Sequence, residues 1–319
     1  MSTLITKGVK HPSSTETNLT LDAGGSVQVT SLNSGPLAGL HNQLINPDFR
    51  VWQRGTSVVH GASNGGYTAD RWVGAANTTT SQRNKHGNIP VAEVLGDKYL
   101  LQGVELHVNP YDNSVTTQFA VGSTWTLSYY ATKAPDGVIS NIAEFRDSVN
   151  DGTASSNPVS IATISTPTAT GETLGSGNEL VRYSTTFTVT GTPASTNRSA
   201  VFHLAGNSSD VDFAYAQLEP GSVASAFEER PLSLEMSLCQ RYYETGSWKA
   251  YLSTTTAGTM AGAATFIVRK RTGPTITYST GANRNHLPTS TEWTEVDSFG
   301  FQKTSANELA FLYAADAEL

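Results

Sequence analysis

Catalytic chemistry needs particular side chains at particular spacings, and this sequence supplies few of them. Glu144 with Asp147 and Glu292 with Glu295 have the residue types of a general acid and its base. A glycoside hydrolase holds two such groups roughly 5–10 Å apart across a cleft. These pairs are instead spaced like ordinary loop or surface charges, and charged side chains are exposed by default. A Gly-rich phosphate loop, a His-Glu-x-x-His pair and a Gly-x-Ser-x-Gly elbow are all missing, so nucleotide, zinc-peptidase and serine-hydrolase chemistry have no carrier. The seven histidines are scattered, and His203 lies in a strand-like run where a hydrogen-bonded core role is expected rather than metal ligation. Cys239 is the single cysteine, which removes disulfides and cysteine-based zinc sites. Its place on an apolar stripe reads as a buried thiol. No catalytic residue, metal ligand or cofactor is assigned.

Aromatic residues carry more signal, because sugars are held by aromatic faces together with amide and carboxylate hydrogen bonds. Trp248 and Trp293 border turn-rich sequence, in a region that also holds Tyr251, Asn283, Arg284 and His286. Those six form the candidate glycan-contacting set. Trp125, in contrast, alternates so cleanly with polar neighbours that it belongs to a core.

The elements that must position such groups are strands. With 319 residues the chain has room for two ordinary domains, or for one large β domain with appendages. Only 15% of residues are charged and 38% are hydrophobic, with Ser, Thr, Asn and Gly making up much of the rest. That composition suits a folded, β-rich chain with long polar loops. The net charge is -7 and basic residues are dispersed, so nucleic acid is not an expected partner. The local cluster "VRKRTGP" at 268–274 reads as the solvated edge of a strand, blocking stray pairing. No run approaches the ~18 apolar residues of a membrane span, so no membrane insertion is expected. "MSTLITKGVKHPSST" lacks the apolar centre of a signal peptide.

In "WTLSYYATKA", Trp125, Leu127, Tyr129 and Ala131 share one face. "LVRYSTTFTVTG" likewise sets Val181, Tyr183, Phe187 and Val189 against Arg182, Ser184, Thr186, Thr188 and Thr190. The pattern predicts an all-β fold: an antiparallel jelly-roll sandwich over 41–228, one short linking helix over 229–245, and a smaller C-terminal β-sandwich over 246–319. Residues 1–40 read as an attachment segment whose hairpin pairs Leu19–Leu21 with Val27–Val29. The helix is expected to bury a stripe of Leu232, Met236, Cys239 and Tyr243, with Gln240 on its polar side. Five strands are expected after it. The last places Leu309, Phe311 and Tyr313 on one face and Ala310, Leu312 and Ala314 on the other. That second apolar face is expected to be buried against copies of the chain.

Several segments, taken in order, resemble bacteriophage tail-fibre and related virion proteins, which carry a jelly roll similar to carbohydrate-binding modules. They are Asn46-x-x-Phe49, Trp52-x-x-Gly55, Tyr67-Thr68-Ala69-Asp70-Arg71-Trp72, Gln217-Leu218-Glu219-x-Gly221 and Leu238-Cys239-Gln240-Arg241-Tyr242-Tyr243. "ITKGVKHPSS…NLTLDAGGSV" resembles the virion-anchored start of such fibres, and "YAADAEL" their C-terminal strand. The resemblance implies a non-enzymatic virion protein, assembled in the host cytoplasm and usually a homotrimer. Residues 1–40 would join it to other tail, baseplate or capsid proteins, and its distal part would contact a host cell-surface glycan. It implies that Asn46, Phe49, Trp52, Tyr67, Asp70 and Trp72 pack the first strands. Related modules often hold calcium near an Asn-Gly-x-Phe-Glu start. Here Pro47 and Arg50 take the Gly and Glu positions, which removes a carboxylate ligand. Two other readings stand beside the adhesin: an architectural capsid or adaptor component, and a polysaccharide depolymerase.

Overall fold

The computed structural model describes residues 41–60, 66–74, 80–95, 100–105, 119–132, 143–146, 158–177, 179–194, 199–204, 211–251, 258–282, 286–306 and 308–318. Ahead of these it describes three short strands, β1 (Gly8–Val9), β2 (Leu19–Leu21) and β3 (Val27–Val29). They form a sheet in which Leu19 pairs with Val29 and Leu21 with Val27, the hairpin expected from the sequence.

The sandwich comprises β4 (Ser57–Val59), β5 (Gly66–Tyr67), β6 (Trp72–Gly74), β7 (Thr80–His86), β8 (Ile89–Leu95), β9 (Leu100–Glu105), β10 (Thr124–Ala131), β11 (Ala143–Arg146), β12 (Val159–Ala162), β13 (Thr168–Leu174), β14 (Leu180–Thr188), β15 (Ser199–His203) and β16 (Val211–Pro220). They form a seven-stranded sheet in the order β13-β14-β10-β16-β8-β7-β4 and a six-stranded sheet in the order β12-β11-β15-β9-β6-β5. Neighbours are antiparallel. The chain crosses repeatedly between the sheets, as from β9 to β10 and from β15 to β16, which is jelly-roll connectivity. Between them lies one core that includes Leu127, Tyr129, Phe145, Phe187, Phe202 and Phe213. Trp125, Leu127, Tyr129 and Ala131 all enter it, as their alternation predicts.

The opposite face of the seven-stranded sheet is less exposed than alternation suggests. Thr126, Ser128 and Arg182 are all buried, because residues 221–230 turn back across it. Gly221 makes the turn with φ 113°, a conformation that suits glycine. Thr126 Oγ1 donates to Gly221 O at 2.8 Å, and Arg182 donates to Glu172 Oε2 at 2.9 Å, to Ser128 Oγ at 3.1 Å and to Ser225 O. Buried Glu219 accepts from Ser225 N and from Gln217 Nε2. The returning segment is therefore fixed by buried hydrogen bonds.

Beyond it come α1 (Leu232–Gln240), β17 (Tyr243–Tyr251), β18 (Gly258–Thr265), β19 (Thr275–Ser279), β20 (Ser290–Thr294), β21 (Ser298–Ala306) and β22 (Glu308–Asp316). The six strands form two sheets, β17-β22-β19 and β18-β21-β20, around a separate aromatic core that includes Phe299, Phe301 and Phe311. This is one strand more than the five expected, and β17 starts at Tyr243 rather than beyond 245. Leu309, Phe311 and Tyr313 face that core as expected. Ala310 on the other face is also buried, beneath a backbone bridge from His286, and half-buried Leu312 lies so close to Gly281 that a Cβ there would meet it at 2.8 Å. Residues of the same chain thus cover part of the second face, where Leu312 and Ala314 stay half-buried.

Two expectations are corrected at the joint between the sandwiches. The helix is not held by an apolar stripe: Leu232 is 49% exposed, while Glu235 and Cys239 are buried. Glu235 accepts from Arg230 Nη1 and Asn46 N, both at 2.7 Å, so an ionic face docks the helix. Burial of Cys239 pushes its thiol well above the usual range. The 268–274 cluster is not a solvated strand edge either. Lys270 is buried, donating to Glu244 at 2.5 Å and to Gln240 O at 2.6 Å, and burial holds its ammonium below the ordinary range even though Glu244 opposes that shift. Its partners lie some thirty residues upstream, outside the reach of a local pattern. Arg54 lies over the rings of Tyr243 and Tyr67, at 3.6 and 4.6 Å, and pairs with Asp316 and Glu318. Buried Arg71 pairs with Glu318, donates to Gly103 O at 2.7 Å and lies 3.8 Å from the Tyr242 ring centroid. These contacts tie the C-terminal sandwich to the jelly roll.

Candidate functional site

The six motif residues do structural work, and most of it falls on one loop. Asn46 Nδ2 donates to Val51 O and Asp70 O, its Oδ1 accepts from Val51 N, and its carbonyl accepts from Trp72 Nε1. Trp52 Nε1 donates to Phe49 O at 2.8 Å, and the Phe49 and Trp72 rings pack with centroids 4.6 Å apart. Asp70 Oδ1 accepts from Gln53 N. Tyr67, half-buried, lies beneath Arg54. This bracing holds Asn46 and Phe49 at φ 54° and 56°. Asn tolerates the left-handed region, whereas a bulky aromatic there is uncommon.

Between those two residues the loop presents Asp48, and just after them Arg50. The Asp48 side chain is 3% exposed and ion-paired with Arg50 Nε. Its Oδ1 nevertheless has no hydrogen-bond partner among the described residues, although buried polar atoms nearly always find one. Burial raises the Asp48 carboxyl above its ordinary range and Arg50 opposes the shift only in part. Arg50 is held by Arg230 O at 2.9 Å and lies 3.9 Å from Glu229.

A bulge supplies the aromatic side. Ser128 pairs with Gln217 and Tyr130 with Ala214, so Tyr129 faces two residues, Tyr215 and Ala216. Tyr215 is the extra residue, at φ 51°. Bulges re-aim side chains in this way. Its ring packs 4.6 Å from Phe227 and 6.2 Å from Tyr130. Burial, followed by the nearby Asp48 charge, raises its phenol.

The third side comes from the β7–β8 hairpin. Arg83 and Lys85 are exposed on one face of β7, opposite Ala92 and Pro90. At about 3.3 Å per strand residue their Cα atoms are roughly 7 Å apart. Asn88 closes the hairpin end and the exposed Leu232 adds an apolar rim. Together these groups enclose a cleft of about 440 Å³, the size of a small-ligand site. Its donors, acceptors and one aromatic ring suit a polyhydroxylated ligand.

Of the residues singled out from sequence at the C-terminal end, Trp248, Trp293 and His286 have described side chains. Trp248 is half-buried and packs against Phe301 at 4.8 Å and Phe311 at 6.0 Å, which makes it part of a core rather than an exposed platform. Trp293 is 45% exposed and lies so close over Gly300 that a Cβ there would meet its Nε1 at 2.2 Å. His286 is 3.2 Å from Glu308. Asn283, Arg284 and the side chain of Tyr251 lie outside the described residues. Of the cleft, Arg50 was noted in sequence only as an obstacle to calcium, and Asp48, Arg83, Lys85 and Tyr215 were missed. The available signals were the Asp48-x-Arg50 pair inside the motif and the alternating cations of "QRNKHGN".

The other sequence candidates fall in ordinary roles. Glu144 pairs with Arg146, and Glu292 and Glu295 are exposed. His203 is buried, and desolvation followed by the Arg146 charge lowers it to about 3.

No family model matches the chain, and no curated protein matches it. Among solved structures it matches one from Bacteroides thetaiotaomicron VPI-5482 described as a "putative sugar binding protein". That match has a TM-score of 0.29 and 11% identity, and covers 56% of this chain and 99% of that one. At so low a TM-score, neither fold nor ligand is transferred from it.

Proposed function

We propose that this chain is a non-enzymatic bacteriophage virion protein, fibre-like, that attaches to a host cell-surface glycan through the cleft at Asp48 and Tyr215. The observation that carries glycan binding is the meeting, in one cleft, of the Asp48 carboxylate and an aromatic ring set there by a strained bulge. A sugar hydroxyl would donate to the Asp48 carboxylate while a pyranose face stacks on Tyr215. Strain at such positions persists where the surroundings impose it, and it clusters at functional sites.

A binding role is favoured over hydrolysis by the placing of the two carboxylates. Asp48 and Glu229 both approach the Arg50 guanidinium, which fills the gap a scissile bond would need. The virion assignment and the trimer rest on the family resemblance. Under this reading residues 1–40 attach the chain to the particle.

Adsorption of the purified chain to host cells tests the proposal. Tyr215→Ala is expected to weaken it by about tenfold, as loss of a stacking ring should, while Trp293→Ala leaves it unchanged. The opposite ranking would return the site to the C-terminal domain. Release of reducing sugar from envelope polysaccharide would favour the depolymerase. Absence of the chain from purified particles would remove the virion assignment, and a monomer in sedimentation would remove the trimer.

A further inference from the structure

The cleft has more positive charge than its own carboxylates use. Asp48 and Glu229 both lie against Arg50. Arg83 and Lys85 also line the cleft, and among the described residues neither is in an ion pair. Two cations roughly 7 Å apart on one strand face therefore sit beside a hydroxyl acceptor and a ring, in a chain whose net charge is -7. A protein this acidic repels anionic polymers at long range, so these local cations have most effect on an anion that has already reached the cleft.

We infer that the glycan is acidic, with the carboxylate, phosphate or sulfate of a charged sugar bound between Arg83 and Lys85 while its ring stacks on Tyr215. This rests on the glycan-binding reading above and narrows it. The division of labour follows from the side chains. Arg83 offers a planar fork that matches a two-oxygen acid group, Lys85 offers a point charge, and Asp48 accepts from an adjacent hydroxyl. Asp48 would also repel the acid group, which orients a charged sugar with its acid toward β7 and its hydroxyls toward the 46–50 loop.

The test is an array of bacterial-surface saccharides, probed with the full chain, in which each acidic member stands beside its carboxyl-reduced, dephosphorylated or desulfated counterpart. Acidic members are expected to bind about tenfold or more tightly than their neutral partners, with the advantage shrinking as salt is raised. Arg83→Gln with Lys85→Gln should erase the advantage. Both side chains are exposed, so unfolding midpoints should stay unchanged. The carboxylate, phosphate and sulfate arms identify which acid group is read. Equal binding of acidic and neutral partners, or an advantage that survives both substitutions, overturns the acidic assignment and leaves glycan binding intact. Binding to no member of either kind overturns both.

Discussion

Replacing Glu318 with alanine tests whether the two sandwiches are fastened by charge. The Glu318 side chain is 1% exposed and pairs with Arg71, itself 2% exposed, and with Arg54 at 3.4 Å. Burial most strongly disfavours the Arg71 cation, but Glu318, Tyr242 and Tyr67 together outweigh it and raise the guanidinium overall. Without Glu318, Arg71 keeps Gly103 O and the Tyr242 ring but no carboxylate among its described contacts. Removing one member of a buried pair costs about 3–5 kcal/mol, chiefly through the charge left behind. For a chain of this size that lowers the melting midpoint by roughly 4–8 °C. Glu308→Ala is the control, because Glu308 is 22% exposed and its partners Lys249 and His286 are more exposed still; its loss should cost under about 1 kcal/mol. Calorimetry of both variants, with Arg71→Met/Glu318→Leu as the double replacement, completes the test. The double variant should be more stable than Glu318→Ala, because apolar pairs replace buried ions at little cost. If Glu318→Ala melts with Glu308→Ala, the pair does not fasten the sandwiches and the reasoning fails.

Glu235→Ala should cost about 3–5 kcal/mol, since it leaves Arg230 buried and Asn46 N without its acceptor, whereas half-buried Met236→Ala should cost about 1–2; urea unfolding with the reverse order would restore the apolar-stripe facing of the helix. At position 215, Gly should be more stable than Ala by about 1 kcal/mol, because both lose the ring and only Gly adopts the left-handed backbone freely; equal midpoints would deny the strain. His203, buried beside Arg146 and Glu144, has its folded value lowered to about 3 against about 6.5 when unfolded. Below pH 6.5 the unfolded chain therefore binds the extra proton, and stability falls by about 1.4 kcal/mol per unit as pH drops toward 3. His203→Gln should flatten that slope, measured by denaturant midpoints across pH 3–7, and an unchanged slope would place the lost stability elsewhere.

Local alternation was enough to find the sandwich. Trp125, Leu127, Tyr129, Tyr183 and Phe187 read as core from period two alone and are core, because each depends only on which face its own strand buries. The opposite face misled, since Thr126, Ser128 and Arg182 are buried by a segment that returns after about forty residues or more. The same holds for Lys270, whose partner Glu244 lies 26 residues away, and for α1, which docks through Glu235 where an apolar pattern pointed to Met236. In each case a polar or charged side chain is buried against a group distant in sequence, which a local pattern does not show. Trp248 was misplaced for the converse reason: turn-rich flanks suggested exposure, but its own strand, paired along its length with β22, carries it onto Phe311.

The cleft was illegible for a further reason, and that reason bears on how it would work. Tyr215 reaches it because one strand has a residue too many opposite Tyr129, and an alternation pattern cannot reveal which residue a bulge turns outward. Asn46, Phe49 and Tyr215 each hold a left-handed backbone, at a cost on the order of 1–3 kcal/mol apiece. The surrounding contacts offset that cost before any ligand arrives: the Asn46 hydrogen bonds, the Phe49–Trp72 packing and the Phe227 ring against Tyr215. A ligand of the kind proposed would meet Asp48 and Tyr215 already fixed, and little of its binding free energy would go into ordering the site. The motif that looked purely architectural in the sequence therefore sets the geometry of the cleft, since the loop that packs the first strands is also the loop that presents Asp48 and Arg50.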